Sequence, residues 1–478
     1  MNTAQLTFIA ALPLSIGVSC ASNADVQQPN ILWVFGEDIS PWMPIYGDST
    51  VTTPNIDFLA ANGVTYTNCY STCSVSSPCR SGLVTGMMQT TIGMHNHRTG
   101  RTSQVIKSLP EGVQVLPQMM RKAGFHTFNS GKDDFNWQYE WSDYWTGEQF
   151  PEKRFFGKEG KGSWNDRAEG QPFFGEIELF GGKNHKKPKD PVDISRIKVP
   201  PYYPDCEFMR NQLAIHYNQI KLTDNEIGEL IEQMKQDGIY ENTIIIFLSD
   251  NGYQTLRDKQ FLYDGGIHMP FIIAAPGNHK LLEKYGLKMG SINEEMISLL
   301  DVTATSLAMA NIEIPENMES KNLLDKDYHR DWIVAARDRC DFTIDRIRCI
   351  RDLEFKYIRN FMTDRPLMQP QYRDKTAYYK EFMTIWKSGE YPFADEWLGD
   401  ERPAEELYDI VNDPHEIHNL AKDPAYAAKL EQMRNRLDTW VKETDDQGQY
   451  PESKEQLTVI KERWGERAVN KEYDIVNQ

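Results

Sequence analysis

The chain lacks an apolar run long enough to cross a bilayer, which takes about 20 residues, so a helical membrane-spanning protein is excluded. Basic charge is scarce. Lys and Arg total 52 against 70 Asp and Glu, a formal net charge of −18, and they are scattered rather than massed. That argues against nucleic acid as the main partner. It also means that an anionic substrate, repelled by the global field, must be met by a local basic pocket. None of the 7 cysteines has zinc-like spacing. Those beyond Cys20 (Cys69, Cys73, Cys79, Cys206, Cys340 and Cys349) are even in number, compatible with an oxidising compartment. Cys340 and Cys349 could pair across a hairpin, which the sequence leaves open. Internal repeats and low-complexity tracts are absent.

The amino terminus has no basic residues ahead of its apolar run, Leu6 to Ser19. The run is short and followed by small residues, as in an export signal. Two processing readings stand: a signal peptide over 1–24 ending at Ser22-Asn23-Ala24, or a lipid anchor at Cys20, for which Gly17-Val18-Ser19 is a poor match. At 478 residues the chain is ample for one large domain and a smaller partner. Aromatic residues make up 11 %, which suits a globular protein that handles sugars.

Asn30 to Gly36 is a continuous apolar run and predicts a buried parallel strand ending at Glu37-Asp38. Thr53-Pro54-Asn55 opens a helix to about Ala61, and Gly63 ends it. Leu109 to Gly124 reads as a helix leading into a strand, His126 to Asn129, that delivers Gly131-Lys132-Asp133-Asp134. Trp137 to Pro204 is a long excursion interrupted by a buried segment, Pro172 to Phe180. Helical periodicity runs from Asp205 to Asp237, and Thr243 to Leu248 is the clearest strand, ending at Ser249-Asp250-Asn251-Gly252. Pro270 to Ala275 predicts a strand and Glu295 to Ala310 a helix. This alternation indicates an α/β fold with a doubly wound sheet. From 326 the texture changes: Trp332 to Ala336, Thr343 to Ile350 and Tyr357 to Asn360 read as antiparallel strands, and Asp423 to Glu443 as a closing amphipathic helix. The expected division is a catalytic domain over 25–325 and a C-terminal α+β unit over 326–478.

Ser76-Ser77-Pro78-Cys79-Arg80 places a hydroxyl residue just before a proline that suits a first helical turn. Arg80, one turn on, points back over the same helix start, where an anion is favoured. A nucleophile, an anion-holding helix end and a fixed cation thus share one small volume, as a site for a sulfate or phosphate ester requires. A plain capped helix is the structural alternative. Glu37-Asp38 and Asp250-Asn251 end two strands at the edge where open α/β sheets gather ligands. Their hard oxygens, without His or Cys, suit Ca²⁺ or Mg²⁺.

These blocks together resemble the sulfatases of the alkaline-phosphatase-like superfamily. Ser76, Pro78, Arg80, Leu83, Thr85 and Gly86 match the signature, and Thr53 to Asp57, Gly131-Lys132, Ser249 to Gly252 and Lys259 to Gly266 follow in family order. The ending Glu406-Leu407-Tyr408-Asp409 with Asn412 to Glu416 and Asn419-Leu420-Ala421, and Ser74-Val75-Ser76, are most similar to the N-sulfoglucosamine sulfohydrolase branch. The resemblance implies a large mixed or parallel sheet sandwiched by helices. It implies that Ser76 is the precursor of formylglycine, made by a maturase of the radical-SAM type found in anaerobic bacteria. A plain serine hydroxyl is a weak nucleophile, whereas a hydrated aldehyde carries two hydroxyls on one carbon. By the same carry-over Glu37, Asp38, Asp250 and Asn251 with the modified Ser76 hold Ca²⁺, Arg80 orients the hydrate, and Lys132 and Lys259 clamp sulfate.

The chain departs from the pattern at Glu37, where the family has Asp, and at Asp134, where it has His. His185 is the expected proton donor to the leaving group, with Lys183 as the alternative occupant of that place. Arg337, Asp338, Arg339 and Asp341 are candidates to touch the sugar. His95-Asn96-His97 spells a nuclease-like triplet too short to carry that reading, and it is expected at the pocket rim or in a structural role. The expectation is an exported sulfatase, periplasmic or at the cell surface of a Gram-negative bacterium, acting on a sulfated glycan of heparan or heparin type. Its rivals are a phosphoester hydrolase using unmodified Ser76 and an inactive glycan-binding homologue.

Overall fold

The computed structural model describes residues 28–98, 105–147 and 163–477. The signal peptide expected over 1–24 and the anchor at Cys20 lie outside the described residues. Strands β1 (Asn30–Gly36) and β5 (Thr243–Leu248) show why unbroken apolar runs become central strands. Ile31, Trp33 and Phe35 enter one core while Leu32 and Val34 enter another on the opposite face, and Ile244, Ile246 and Leu248 divide from Ile245 and Phe247 in the same way. The sheet has seven strands in the order β3 (His126–Ser130), β4 (Phe173–Leu179), β1, β5, β6 (Phe271–Ala274), β2 (Gly63–Tyr70) and β7 (Ser291–Ser298). The first four are mutually parallel, β6 runs against both neighbours, and β2 pairs parallel with β7.

Helices cover both faces. On one, α1 (Pro54–Ala61) and the long α4 (Glu207–Gln236) contribute Ile56, Leu59, Leu213, Ile220 and Ile227. On the other, α2 (Ser76–Thr85), α3 (Leu116–Lys122) and α5 (Val302–Met309) contribute Leu83, Leu116, Met119 and Leu307. Helix α3 is shorter than the expected Leu109 to Gly124, because Pro110 and Gly112 lie in a turn and Pro117 occupies the first helical turn. Of the expected helix Glu295 to Ala310, the first four residues belong to β7. Ser298 then caps a single 3₁₀ turn through Asp301 before α5 starts.

A second, antiparallel sheet has the order β8 (Ile333–Arg337), β9 (Ile347–Arg351), β10 (Phe355–Asn360) and β11 (Glu405–Asp409). Helix α6 (Ala427–Glu443) packs Leu430, Met433, Leu437 and Trp440 on Val334, Ile350, Tyr357 and Leu407. Helix α7 (Lys454–Trp464) buries Leu457 and Ile460 against Phe342, Ile344 and Tyr473. The architecture is therefore α/β, a large mixed sheet sandwiched by helices with a smaller α+β unit. The six described cysteines are buried and free, so Cys340 and Cys349 do not pair. Cys340 Sγ instead accepts from Gln260 Nε2 at 2.8 Å, and Cys349 lies inside β9. Among the described residues no helix is long and apolar enough to cross a membrane.

Candidate active site

Four parallel strands end at one edge, and each delivers a polar turn there. β1 leads to Glu37-Asp38, β5 to Asp250-Asn251, β3 to Gly131-Lys132, and β4 to the 3₁₀ turn Gly181–Lys183. Because β1 pairs with both β4 and β5, the acidic turns are neighbours. Glu37, Asp38 and Asp250, none more than 1 % exposed, bring carboxylate oxygens within 4.8 Å of one another.

Charge crowding of this kind needs compensation. Lys132 Nζ lies 2.6 Å from Glu37 Oε1, Lys183 Nζ also contacts Glu37, and Lys259 Nζ contacts Asp38. Burial pushes the Asp250 carboxyl up, but the charges of Arg80, Lys132 and Lys259 prevail and hold it well below the usual range. Burial and the charge of Lys259 lower Lys183 to about 7. The donor set fits a hard divalent cation. It is all oxygen, and it includes Asn251 Oδ1, a buried amide oxygen without a hydrogen-bond partner. Asn251 Nδ2 donates to Ser76 Oγ at 3.1 Å, which joins the start of α2 to the carboxylate cluster.

Ser76 is the first residue of α2, preceded by extended Val75, so the positive end of the helix faces this edge. Arg80, 2 % exposed, is held on every side. Its Nη2 meets Glu178 Oε2 at 2.6 Å, its Nε meets Asp250 Oδ2 at 3.1 Å, its Nη1 donates to the Lys132 carbonyl at 2.9 Å, and Phe35 lies 4.2 Å beneath its guanidinium. Glu178 was missed in the sequence. Its signal was available, since FFGEIEL is a fully buried strand with two glutamates. The second, Glu176, accepts from Asn129 Nδ2 at 2.8 Å, and burial raises it to about 8.

Above Ser76 opens a cavity of about 320 Å³ whose walls include Lys132, Lys183, Lys259 and Asp134. Asp134 stands 3.4 Å from Lys132 Nζ and 3.6 Å from Arg98 Nε. The structure brings Lys183, not His185, to this cavity. The Gly182 N–H donates to the Glu37 carbonyl at 2.6 Å, which folds the turn against the acidic loop, seats Lys183 on Glu37 and leaves His185 exposed outside. Of the four expected sugar contacts, only Asp341 lines the cavity, with its Oδ1 3.2 Å from His97 Nδ1. Arg337 is buried over Phe261 beside Asp345. Asp338 and Arg339 are engaged by Arg348 and Glu452 and do not line this cavity, although Arg339 Nη1 also donates to the carbonyl of cavity-lining His97 at 3.2 Å. Of the HNH triplet, His97 reaches the cavity wall. Asp38, Arg98, Asp134 and Asp341 line the cavity with φ of 55°, 59°, 56° and 51°, left-handed conformations that non-glycine residues adopt at a cost. Backbone strain is thus gathered where side chains must be aimed.

The sulfatase family model matches residues 29–312. An ulvan-active sulfatase of Formosa agariphila is 31 % identical over 477 residues, covering 89 % of this chain and 77 % of that protein. Human N-sulphoglucosamine sulphohydrolase is 25 % identical over 473 residues, covering 87 % of this chain and 90 % of the human one. A solved structure bound to its substrate, D-glucosamine-2-N,6-O-disulfate, superposes with a TM-score of 0.58 at 17 % identity, covering 88 % of this chain and 98 % of that one. With its acidic edge, its serine at a helix start and its ring of cations in place, the chain belongs to the sulfatase family, the sulfuric ester hydrolases.

Proposed function

We propose that the protein is an exported, calcium-dependent sulfatase that removes sulfate from a glycan through a formylglycine made from Ser76. The observation that carries this reading is the hydrogen bond from Asn251 to Ser76 Oγ at the rim of the three-carboxylate cluster. Glu37, Asp38, Asp250 and Asn251, joined by the modified Ser76, would hold the ion. Bound calcium supplies a Lewis acid for the sulfate oxygens and for the attacking hydroxyl. A formylglycine hydrate at residue 76 would supply two hydroxyls on one carbon, one as nucleophile toward sulfur and one to lose a proton when the aldehyde re-forms and sulfate leaves. Arg80 fixes the orientation of residue 76 from the next helical turn. Lys132 and Lys259, facing the cavity from β3 and the loop before β6, bind sulfate oxygens as negative charge moves toward the leaving group. Lys183 occupies the place expected of His185, where a proton is delivered to the departing oxygen or nitrogen. Asp134, within reach of Lys132, keeps that ammonium oriented.

Substrate class follows the relatives. Ulvan and N-sulfated glucosamine appear in their names, which supports a sulfated glycan of heparan, heparin or ulvan type. A cavity of about 320 Å³ is at the small end for ligand sites and suits one sulfated sugar at a chain end. The run Leu6 to Ser19 supports export to the periplasm or cell surface of a Gram-negative bacterium, and Ser rather than Cys at 76 supports a radical-SAM maturase as partner. The test is sulfate release by maturase-coexpressed protein from defined heparin and ulvan saccharides, with and without chelator. Chelator-sensitive release from some of them is expected. Hydrolysis of phosphate esters alone, or binding without release, would replace this reading with a phosphoester hydrolase or an inactive glycan-binding homologue.

A further inference from the structure

The proposed sulfate-binding residues are only part of the cavity lining. The second unit adds Tyr372, Arg463, Trp464 and Asp341, and His97 of the large domain joins them. No metal-ligand or sulfate-clamp role falls to any of them. The two aromatic side chains are half-buried. Trp464, at the end of α7, packs on buried Phe342 with ring centroids 5.2 Å apart. Arg467, stacked 4.5 Å over Phe342, donates to the Gln371 carbonyl at 2.8 Å and to Asp374 Oδ1 at 2.6 Å, and so ties the end of α7 to the loop carrying Tyr372. In that loop Arg373 donates to the Lys259 carbonyl at 2.9 Å. One chain of contacts therefore sets the aromatic wall at a fixed position relative to a sulfate-clamping lysine.

Charge points the same way. Arg463 is exposed at the mouth and has no carboxylate partner among the described residues, in a protein of net charge −18. An unpaired guanidinium beside aromatic faces is suited to an anionic group on a ring with an apolar face. His97 and Asp341, buried and paired with each other at 3.2 Å, complete the lining.

We infer that Tyr372, Arg463 and Trp464, with His97 and Asp341, form the subsite for the sugar ring that carries the scissile sulfate. The ring packs on the aromatic side chains, and a second acidic substituent, a carboxylate or another sulfate, pairs with Arg463. The inference rests on the glycan sulfatase reading above. It makes the C-terminal unit the element that selects the sugar, while the large sheet handles the sulfate.

The experiment uses full-length, maturase-activated protein, a panel of heparin and ulvan disaccharides with D-glucosamine-2-N,6-O-disulfate, and inorganic sulfate as competitive inhibitor. Arg463→Gln and Trp464→Ala are expected to raise KM for the saccharide turned over by about tenfold or more. Inhibition by inorganic sulfate should stay within about twofold, and Trp464→Phe should recover most of the saccharide affinity. Arg463 is exposed, so Arg463→Gln keeps the test valid should Trp464→Ala fold poorly. Unchanged saccharide KM in Arg463→Gln and Trp464→Ala alike, or equal weakening of saccharide and inorganic sulfate, would overturn the subsite. Failure of the unsubstituted protein on every saccharide would instead overturn the glycan sulfatase reading itself.

Discussion

At the scale of single residues, Arg80 and Lys132 differ in how tightly they are held. Arg80 is locked by Glu178, Asp250 and the Lys132 carbonyl and has no freedom to follow a substrate. Lys132 is held from one side by Glu37 and faces the cavity. Lys132→Ala is expected to lower kcat by about 10²–10³-fold, the usual effect of losing one donor to a developing anion. Steady-state kinetics check this, and a loss confined to KM would show that Lys132 only binds. His97 gives a pH signature. Burial works against its charge, but Cys340 and Asp341 outweigh burial and raise it to about 9. A raised imidazole contributes its full stabilisation below its unfolded value of about 6.5 and loses it as pH rises through about 9. Urea unfolding should therefore show a stability decline across that window, on the order of 3 kcal/mol, that His97→Gln flattens. An identical slope in the variant would contradict the assignment. Ser76, Arg80 and the two acidic pairs were legible in the sequence because each sits in a short motif whose geometry is local. Lys183 was not separable from His185, because which of them faces inward depends on how the Gly181–Lys183 turn folds against Glu37, a contact between distant segments. Tyr372, Arg463 and Trp464 carry no local signal at all.

At the scale of elements, the site is a consequence of β1, β3, β4 and β5 ending together. The turn after β4 is packed so closely on the Glu37-Asp38 loop that a Cβ on Gly182 would lie 2.5 Å from the Asp38 carbonyl oxygen. Gly182→Ala must therefore displace the acidic loop. Calcium titration by calorimetry should show affinity reduced by about tenfold or more, with activity recovered in part at high calcium. Unaltered calcium affinity would mean that the loop accommodates the methyl group. The central strands were readable because they are apolar on both faces. Strand β2, GVTYTNCY, was not, since its polar residues conceal a strand that pairs with β6 and β7. The same pairing explains why Glu295 to Ser298, apparently helical by its neighbours, is extended: β2 offers it a parallel partner.

At the scale of the whole molecule, the second sheet is joined to the first by buried charge. Asp264, in the segment after Lys259, accepts from Arg351 Nη2 at 3.0 Å and pairs with Lys356, which also meets Glu416 at 2.6 Å. Arg351 lies 3.8 Å over the Tyr70 ring at the end of β2. Asp264→Ala leaves two buried cations under-compensated and should destabilise the protein by about 3–5 kcal/mol in denaturant unfolding. A loss below about 1 kcal/mol would show that Glu416 alone secures the joint. Beside this joint the two sheets share an apolar core, Ile333, Ala335, Ile347 and Ile358 packing in one cluster with Leu32, Val34 and Phe247. The change of texture near residue 326 was visible in the sequence, whereas the ion pairs that dock the second sheet were not, because each links residues far apart in the chain.

We propose that Ser76 is the precursor of the nucleophile rather than the nucleophile itself. Its most direct test is the mass of the peptide containing Ser76, taken from protein made with a radical-SAM maturase and shown to release sulfate. The expected peptide is two hydrogens lighter than the encoded sequence requires. An intact serine in fully active protein would contradict it.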